Sequence, residues 1–187
     1  MAWLAGQEKA GQARVGNKLD EQMTQLSEIY NQRILELSAN IPQAERLADA
    51  DASATAHSKL CGSTVTVDLK LAGNRVTAYG QTVKACLLGQ AAASVMAHNI
   101  VGSTAEELRE VGATMRKMLK AGGPPPTGRW ADLAVLEPVK DYKARHASTV
   151  LVFDAVESAL SEAEGKQATA QETSTGGLVA AAAPGAG

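Results

Sequence analysis

The sequence has few aromatic residues and few cysteines. Phe, Trp and Tyr make up 3% of its 187 residues, so its core must consist mainly of aliphatic side chains. Two cysteines cannot form the disulfide framework of a small secreted domain, and we therefore expect a reducing, cytoplasmic location. In that compartment a cysteine is more often reactive or metal-binding than cross-linked.

The chain also lacks an excess of positive charge and long apolar runs. A formal net charge of −2 argues against nucleic-acid binding, which needs a basic surface to displace counterions. No apolar run approaches the length of a membrane span, and the start of the chain has no signal-peptide core. The sequence motifs of nucleotide phosphate sites, dinucleotide sites, serine nucleophiles and paired-cysteine zinc sites are absent as well.

Composition divides the chain into three parts. Residues 1–20 mix small and polar residues and are predicted to be a flexible extension. Residues 21–164 carry the periodic apolar pattern of a folded domain. Residues 165–187 lack the large apolar side chains that offset the entropy of ordering, which predicts a disordered tail.

Apolar periodicity indicates a helix, then strands, then helices. The first helix, between residues 20 and 42, has a stripe of Met23, Leu26, Tyr30, Ile34 and Leu37. A polar link over residues 43–59 leads to Cys61. Strict alternation then predicts a strand with one apolar face, formed by Val65, Val67, Leu69 and Leu71, and with Asp68 on the polar face. Residues 72–74 form a hairpin connection, and Gly80 is expected to mark a bulge or a break in the second strand.

The second half of the chain is predicted to be helical. One helix follows Cys86, and a second opens with Ser103 and Glu106 as a capping box. After Gly-Gly-Pro-Pro-Pro, residues 129–139 form a short helix or turn with two anchoring side chains, Trp130 and Leu136. The last helix buries Val150, Phe153, Val156 and Leu160. The fold class is therefore α+β, with a two- to three-stranded antiparallel sheet packed against about five helices.

The residues that could carry chemistry are two cysteines and three histidines. Cys61 lies on a turn before a strand, and Cys86 opens a helix, where the helix dipole favours a thiolate. Spacing alone favours the structural interpretation of either cysteine, since free cysteine is often a small buried hydrophobe. His57 is expected to be exposed, His98 to lie at the surface near a helix end, and His146 to lie at the start of a helix.

Residues 30–160 resemble the NifU-like (IscU-type) iron–sulfur cluster assembly scaffolds. The matching segments are LCGSTVTVDLKL, KACLLGQAAASVMAHNIVGST and ARHASTVLVFDAVESAL, which resemble the family's three cysteine-bearing segments. Residues 103–139 are similar to the insertion of the SufU-like branch. The resemblance implies a NifU/IscU-like fold, an iron–sulfur cluster or a zinc ion as cofactor, and a cysteine desulfurase and iron–sulfur client proteins as partners.

Two positions depart from the family pattern. Ser63 stands where the family has an aspartate ligand, and Ser148 stands where it has the third cysteine. A neutral serine is a poor ligand for zinc or iron. The resemblance therefore leaves Cys61 and Cys86 as thiolate ligands or sulfur acceptors, with His146 as the available third ligand.

Two functional hypotheses follow from this comparison. In the first, the chain is a scaffold or carrier that binds a transient iron–sulfur cluster, iron or zinc and accepts sulfur; it is more a scaffold than an enzyme. Lys143 and Arg145 are then candidates for steering an anionic persulfide or cluster. In the second, the domain has lost its metal chemistry and serves as a structural or adaptor subunit of a larger complex.

Overall fold

The computed structural model describes residues 31–42, 45–59 and 61–176, with the backbone alone for 170–176. Within these ranges the chain forms three strands and six helices. The strands are β1 (Ala52–His57), β2 (Thr64–Ala72) and β3 (Arg75–Lys84). The α-helices are α1 (Gln32–Ala39), α2 (Leu87–Asn99), α3 (Ala105–Ala121), α4 (Lys143–Thr149) and α5 (Leu151–Gly176), and a 3₁₀ helix spans Gly128–Asp141. The predicted α+β class is confirmed.

The three strands form one antiparallel sheet in the order β1-β2-β3. The predicted apolar face is present: Val65, Val67 and Leu69 are fully buried, and Leu71 is half-buried near the hairpin. This face packs against α5. A two-residue turn at Gly73 and Asn74 joins β2 to β3, as the sequence predicts. The sheet therefore brings the start of β2 and the end of β3 to the same edge of the molecule.

Strand β1 lies inside the segment that the sequence predicted to be a polar link. It pairs along its whole length with β2, from Ala52 opposite Leu69 to His57 opposite Thr64. Its residues before His57 are small, and only Ala52 is buried. An edge strand with one paired side needs little apolar surface, because hydrogen bonds to β2 hold it in place. His57 lies exposed at its end, as predicted.

Gly80 marks neither a bulge nor a break, so this prediction was wrong. Strand β3 runs through it, and the irregularity in the ladder falls between Lys70 and Leu71. A Cβ at Gly80 would lie 2.5 Å from the carbonyl oxygen of Glu45. The glycine instead permits residues 45–47 to cross the sheet. Their crossing also explains why Asp68, predicted on the exposed face, is buried and paired with Arg46.

The helices follow the predicted order with local differences. Of the first predicted stripe, Ile34 and Leu37 are buried in α1, whereas Met23, Leu26 and Tyr30 lie outside the described residues. The cap of α3 is Thr104 rather than Ser103: its hydroxyl accepts a hydrogen bond from the backbone N–H of Glu107 at 3.2 Å. The predicted anchors of the 3₁₀ helix and the four predicted apolar residues of the last helical segment are buried: Trp130, Leu136, Val150, Phe153, Val156 and Leu160.

Helix α5 continues to Gly176 and so passes the boundary predicted at residue 165. The first part of this helix, through Ala163, is held by buried side chains. Once it has formed, the alanine, glutamine and glutamate residues that follow extend it at a small cost in free energy. Lys166 also donates a hydrogen bond to the carbonyl oxygen of Asp51 at 2.9 Å. The helix therefore continues into the segment predicted to be a tail, and the division of the chain at residues 20 and 164 stays a prediction. Residues 1–20 and 177–187 lie outside the described part. No helix of that part is long and apolar enough to cross a membrane.

Candidate functional site

Cys61 lies in the connection between β1 and β2. Two backbone hydrogen bonds close this connection: Ser58 N–H donates to the Ser63 carbonyl at 2.8 Å, and Gly62 N–H donates to the Ser58 carbonyl at 2.9 Å. The positive φ of Gly62, +70°, completes the turn. The closed turn places the exposed Cys61 thiol between the hydroxyl groups of two buried serines, Ser58 and Ser63.

These hydroxyl groups change the acidity of the thiol. Cys61 Sγ lies 3.3 Å from Ser58 Oγ and 3.0 Å from Ser63 Oγ. Because a hydroxyl hydrogen can rotate, both serines can donate to the thiolate. The Ser58 hydroxyl first, then the hydroxyl and backbone of Ser63, lower the pKa of Cys61 from 9.0 to about 7, with a smaller contribution from Ser148. About half of Cys61 is therefore thiolate near neutral pH, which suits a nucleophile or a ligand.

Cys86 follows β3 and is the N-cap residue of α2, as the sequence predicts. Its carbonyl oxygen accepts the N–H of Gln90 at 2.9 Å, and its side chain makes no capping hydrogen bond. The half-buried thiol points instead toward Ser148, with Sγ 3.4 Å from Oγ. The end of β3 and the start of α2 thus place Cys86 beside Ser148, which stands where the family has its third cysteine.

Gly89 permits this contact between α2 and the segment that carries Ser148. A Cβ at Gly89 would lie 2.8 Å from the carbonyl oxygen of Ser148, closer than real Cβ atoms approach. The Ser148 hydroxyl donates to the Arg145 carbonyl at 3.0 Å and accepts from the Cys86 thiol. Since it also contributes to the lowered pKa of Cys61, Ser148 interacts with both sulfur atoms.

The two cysteines line one open cleft with a volume of about 430 Å³. Six polar or sulfur-bearing side chains line it: Cys61, Ser63, Lys84, Cys86, Gln90 and Arg145. Among the residues that the structure describes, no carboxylate lines this cleft. The cleft is therefore an electropositive surface depression that exposes a partly ionised thiol to solvent.

The structure does not place His146 with the two cysteines. Its Nε2 lies 3.1 Å from the Val139 carbonyl oxygen and 3.0 Å from that of Lys140, and it does not line the cleft. In residues 31–42, 45–59 and 61–176, no three His, Cys, Asp or Glu side chains are grouped to hold a metal ion. The predicted set of Cys61, Cys86 and His146 is thus not assembled here, and the role of His146 as a ligand stays a prediction.

Of the two predicted steering residues, Arg145 lines the cleft and Lys143 does not. His98 is exposed near the end of α2, as expected, with Nδ1 2.8 Å from the Ser94 carbonyl oxygen. Sequence reasoning missed Ser58 and Lys84. Pairing of β2 with β3 places Lys84 opposite Thr64, next to Ser63, but only a known strand register reveals this.

Comparison with solved structures gives close matches to the whole fold. The crystal structure of a nitrogen-fixing NifU-like protein (N-terminal) from Brucella abortus is 55% identical, with a TM-score of 0.75, and the match covers 76% of this chain and 99% of that one. A protein described as a scaffold of iron–sulfur cluster assembly for the SUF system, from Fervidobacterium islandicum AW-1, is 22% identical, with a TM-score of 0.66 and coverage of 72% and 98%.

A hypothetical protein is 16% identical, with a TM-score of 0.65 and the same pair of coverages, 72% and 98%. These last two likenesses show the fold alone. No family model and no curated protein matches the chain. The match to the Brucella protein spans nearly all of that chain at more than half identity, and the chain therefore belongs to the NifU-like family of iron–sulfur cluster assembly scaffolds.

Proposed function

We propose that this chain is a scaffold or carrier in iron–sulfur cluster assembly that accepts sulfur on Cys61 and holds iron, zinc or a transient cluster as cargo at Cys61 and Cys86. Its partners would be a cysteine desulfurase and iron–sulfur client proteins. The observation that carries the proposal is the cleft itself. Three of the family's four ligand positions, 61, 63 and 86, line it, and the fourth, the buried Ser148 near the end of α4, has its hydroxyl oxygen 3.4 Å from Cys86 Sγ.

Sulfur acceptance needs an exposed, partly ionised thiol, and Cys61 has both properties. The Cys61 thiolate attacks the outer sulfur of the desulfurase's cysteine persulfide. A new S–S bond forms to Cys61 and the old one breaks, so that the desulfurase cysteine leaves as a thiolate with the bonding electron pair. No net oxidation or reduction occurs, and Cys61 becomes the persulfide.

The donor set suits cargo that is released again. Two thiols are soft ligands for iron or zinc, whereas the hydroxyl groups of Ser63 and Ser148 are weak ones. Two protein sulfurs leave coordination positions open to sulfide, water or a client's side chain. His146 adds a third ligand only if its ring leaves the carbonyl groups of Val139 and Lys140.

Anaerobic reconstitution with ferrous iron and sulfide, and separately with zinc, tests the cargo part of this proposal. We expect stoichiometric metal on the parent chain and loss of that metal in Cys61→Ser and in Cys86→Ser. His146→Gln, compared with the matched variant His98→Gln, shows whether the imidazole contributes. Metal at background levels in the parent chain under reducing conditions would contradict cargo binding.

The adaptor hypothesis is the second candidate, and two observations favour it. Serines occupy two of the four ligand positions, and the described residues contain no group of three metal-ligating side chains. The discriminating experiment replaces both cysteines in the cell. Unchanged complex formation and unchanged iron–sulfur enzyme activities would favour an adaptor; lost enzyme activities with intact complexes would favour the carrier.

A further inference from the structure

Two basic side chains in the cleft have no carboxylate partner among the residues that the structure describes. Lys84 and Arg145 are both exposed, and neither forms a salt bridge there. Arg116, by contrast, forms salt bridges with Asp154 at 2.6 Å and with Glu157 at 2.7 Å. The guanidinium and ammonium groups of the cleft are therefore available to an anion from solvent.

Their position relative to the thiols is fixed by the fold. Lys84 lies at the end of β3, opposite Thr64 on β2 and two residues before Cys86. Arg145 lies on α4, and its carbonyl oxygen accepts the hydroxyl hydrogen of Ser148. One cation thus approaches from the strand side of the cleft and the other from the helix side, with Cys61 in the same lining.

We propose that this cleft also takes sulfur directly from a small anionic donor whose outer sulfur is bonded to sulfur, with thiosulfate as the representative. The inference rests on the proposed function, because the acceptor is the same Cys61 thiolate. Arg145 offers a planar fork of donors that matches two oxygens of an oxyanion, and Lys84 adds a point charge. A cleft lined by a carboxylate at position 63 would repel such an anion, whereas Ser63 does not.

The reaction balances without an added oxidant or reductant. The Cys61 thiolate attacks the outer sulfur of thiosulfate, and an S–S bond forms between them. The original S–S bond breaks, and sulfite leaves with its electron pair. The product is the Cys61 persulfide, which is the same species that a desulfurase would generate. Lys84 and Arg145 would hold the oxygens that become sulfite.

The experiment uses the full reduced chain under anaerobic conditions with thiosulfate alone. We expect release of sulfite that saturates with thiosulfate, one added sulfur atom on the peptide that carries Cys61, and competition by sulfate, which has the charge and shape but no outer sulfur. Lys84→Gln and Arg145→Gln should each raise the half-saturating thiosulfate concentration about fivefold, as the loss of an exposed charge contact does. Lys120→Gln, an exposed lysine outside the cleft, is the matched control.

A parallel experiment with a cysteine desulfurase and cysteine as the sulfur source distinguishes the direct reaction with thiosulfate from the proposed carrier function. Sulfur on Cys61 from the desulfurase but not from thiosulfate would overturn the direct reaction and leave the carrier function standing. Sulfur from neither source would overturn both. Thiosulfate reaction that is equally strong in the Lys84, Arg145 and Lys120 variants would overturn the role given to the cleft cations.

Discussion

Replacing Ser58 by alanine should raise the pKa of Cys61 by about one unit. The Ser58 hydroxyl makes the largest contribution to the lowering from 9.0 to about 7. A hydrogen bond to a charged group contributes about 1.5–3 kcal/mol, and Cys61 is exposed, so the lower end of this range applies. With 1.36 kcal/mol per unit, the pKa rises to about 8, and the thiolate fraction at pH 7 falls about fivefold, from roughly a half to roughly a tenth.

The assay measures the alkylation rate of Cys61 by iodoacetamide between pH 5 and 10, followed by mass spectrometry of the cysteine-bearing peptides. The parent rate should have its midpoint near pH 7. The Ser58→Ala midpoint should lie higher, and the two rates should converge at the alkaline end. Ser158→Ala, which removes an exposed serine hydroxyl from α5, serves as the control and should leave the profile unchanged.

An unshifted midpoint in Ser58→Ala would refute the assignment of the lowered pKa to the turn. Rates that differ at alkaline pH as strongly as at pH 7 would also refute it, since they would indicate altered access rather than altered ionisation. Near-ultraviolet circular dichroism of each variant checks that the fold is retained. The control is informative because both substitutions remove one hydroxyl group from a folded serine.

Three further changes test the packing and charge of the fold. Gly89→Ala places a Cβ against the Ser148 carbonyl oxygen and should lower the free energy of unfolding by about 1–3 kcal/mol, measured by urea denaturation. Ser148→Cys adds a thiol beside Cys86 and should increase zinc affinity at least about tenfold in a competition titration. Although burial raises the pKa of Asp68, hydrogen bonds led by that from Arg46 lower it overall, so Arg46→Met should destabilise the chain at neutral pH. That loss should shrink as pH falls below about 4, where protonation of the carboxylate removes the contribution of the pair.

Each of these has an outcome that contradicts its reasoning. An unfolding curve of Gly89→Ala equal to the parent's would show that the contact with Ser148 is not close. Unchanged zinc affinity in Ser148→Cys would mean that position 148 does not reach the cargo. A destabilisation of Arg46→Met that stays constant from neutral to acid pH would mean that lost packing, rather than the ion pair with Asp68, causes the effect.

The sequence predicted the elements that carry large apolar side chains. Alternation located β2 because every second residue from Val65 to Leu69 is buried, and three- and four-residue spacing located the buried stripe of the last helical segment. It missed β1, since an edge strand of alanine, serine and threonine has the composition of a link. It misjudged Gly80 because close approach by residues distant in the chain leaves no local pattern.

The sequence also predicted only part of the candidate site, because contacts between residues distant in the chain leave no local pattern. The cysteine positions and the two serines followed from the resemblance, and the structure brings Cys61, Ser63, Cys86 and Ser148 together. The predicted position of His146 beside the cysteines is not found. Its ring lies instead against the carbonyl groups of Val139 and Lys140 at the end of the 3₁₀ helix. Side-chain direction at a short helix depends on what packs beside it, which the sequence of that helix alone does not contain.

The most direct test of the carrier function is mass spectrometry of the full chain after anaerobic incubation with a cysteine desulfurase and cysteine. We expect one additional sulfur atom on the peptide that carries Cys61, retained in Cys86→Ser and absent from Cys61→Ser. A parent chain that gains no sulfur, or a Cys61→Ser variant that gains as much as the parent, would contradict the proposal that Cys61 is the sulfur acceptor of this cleft.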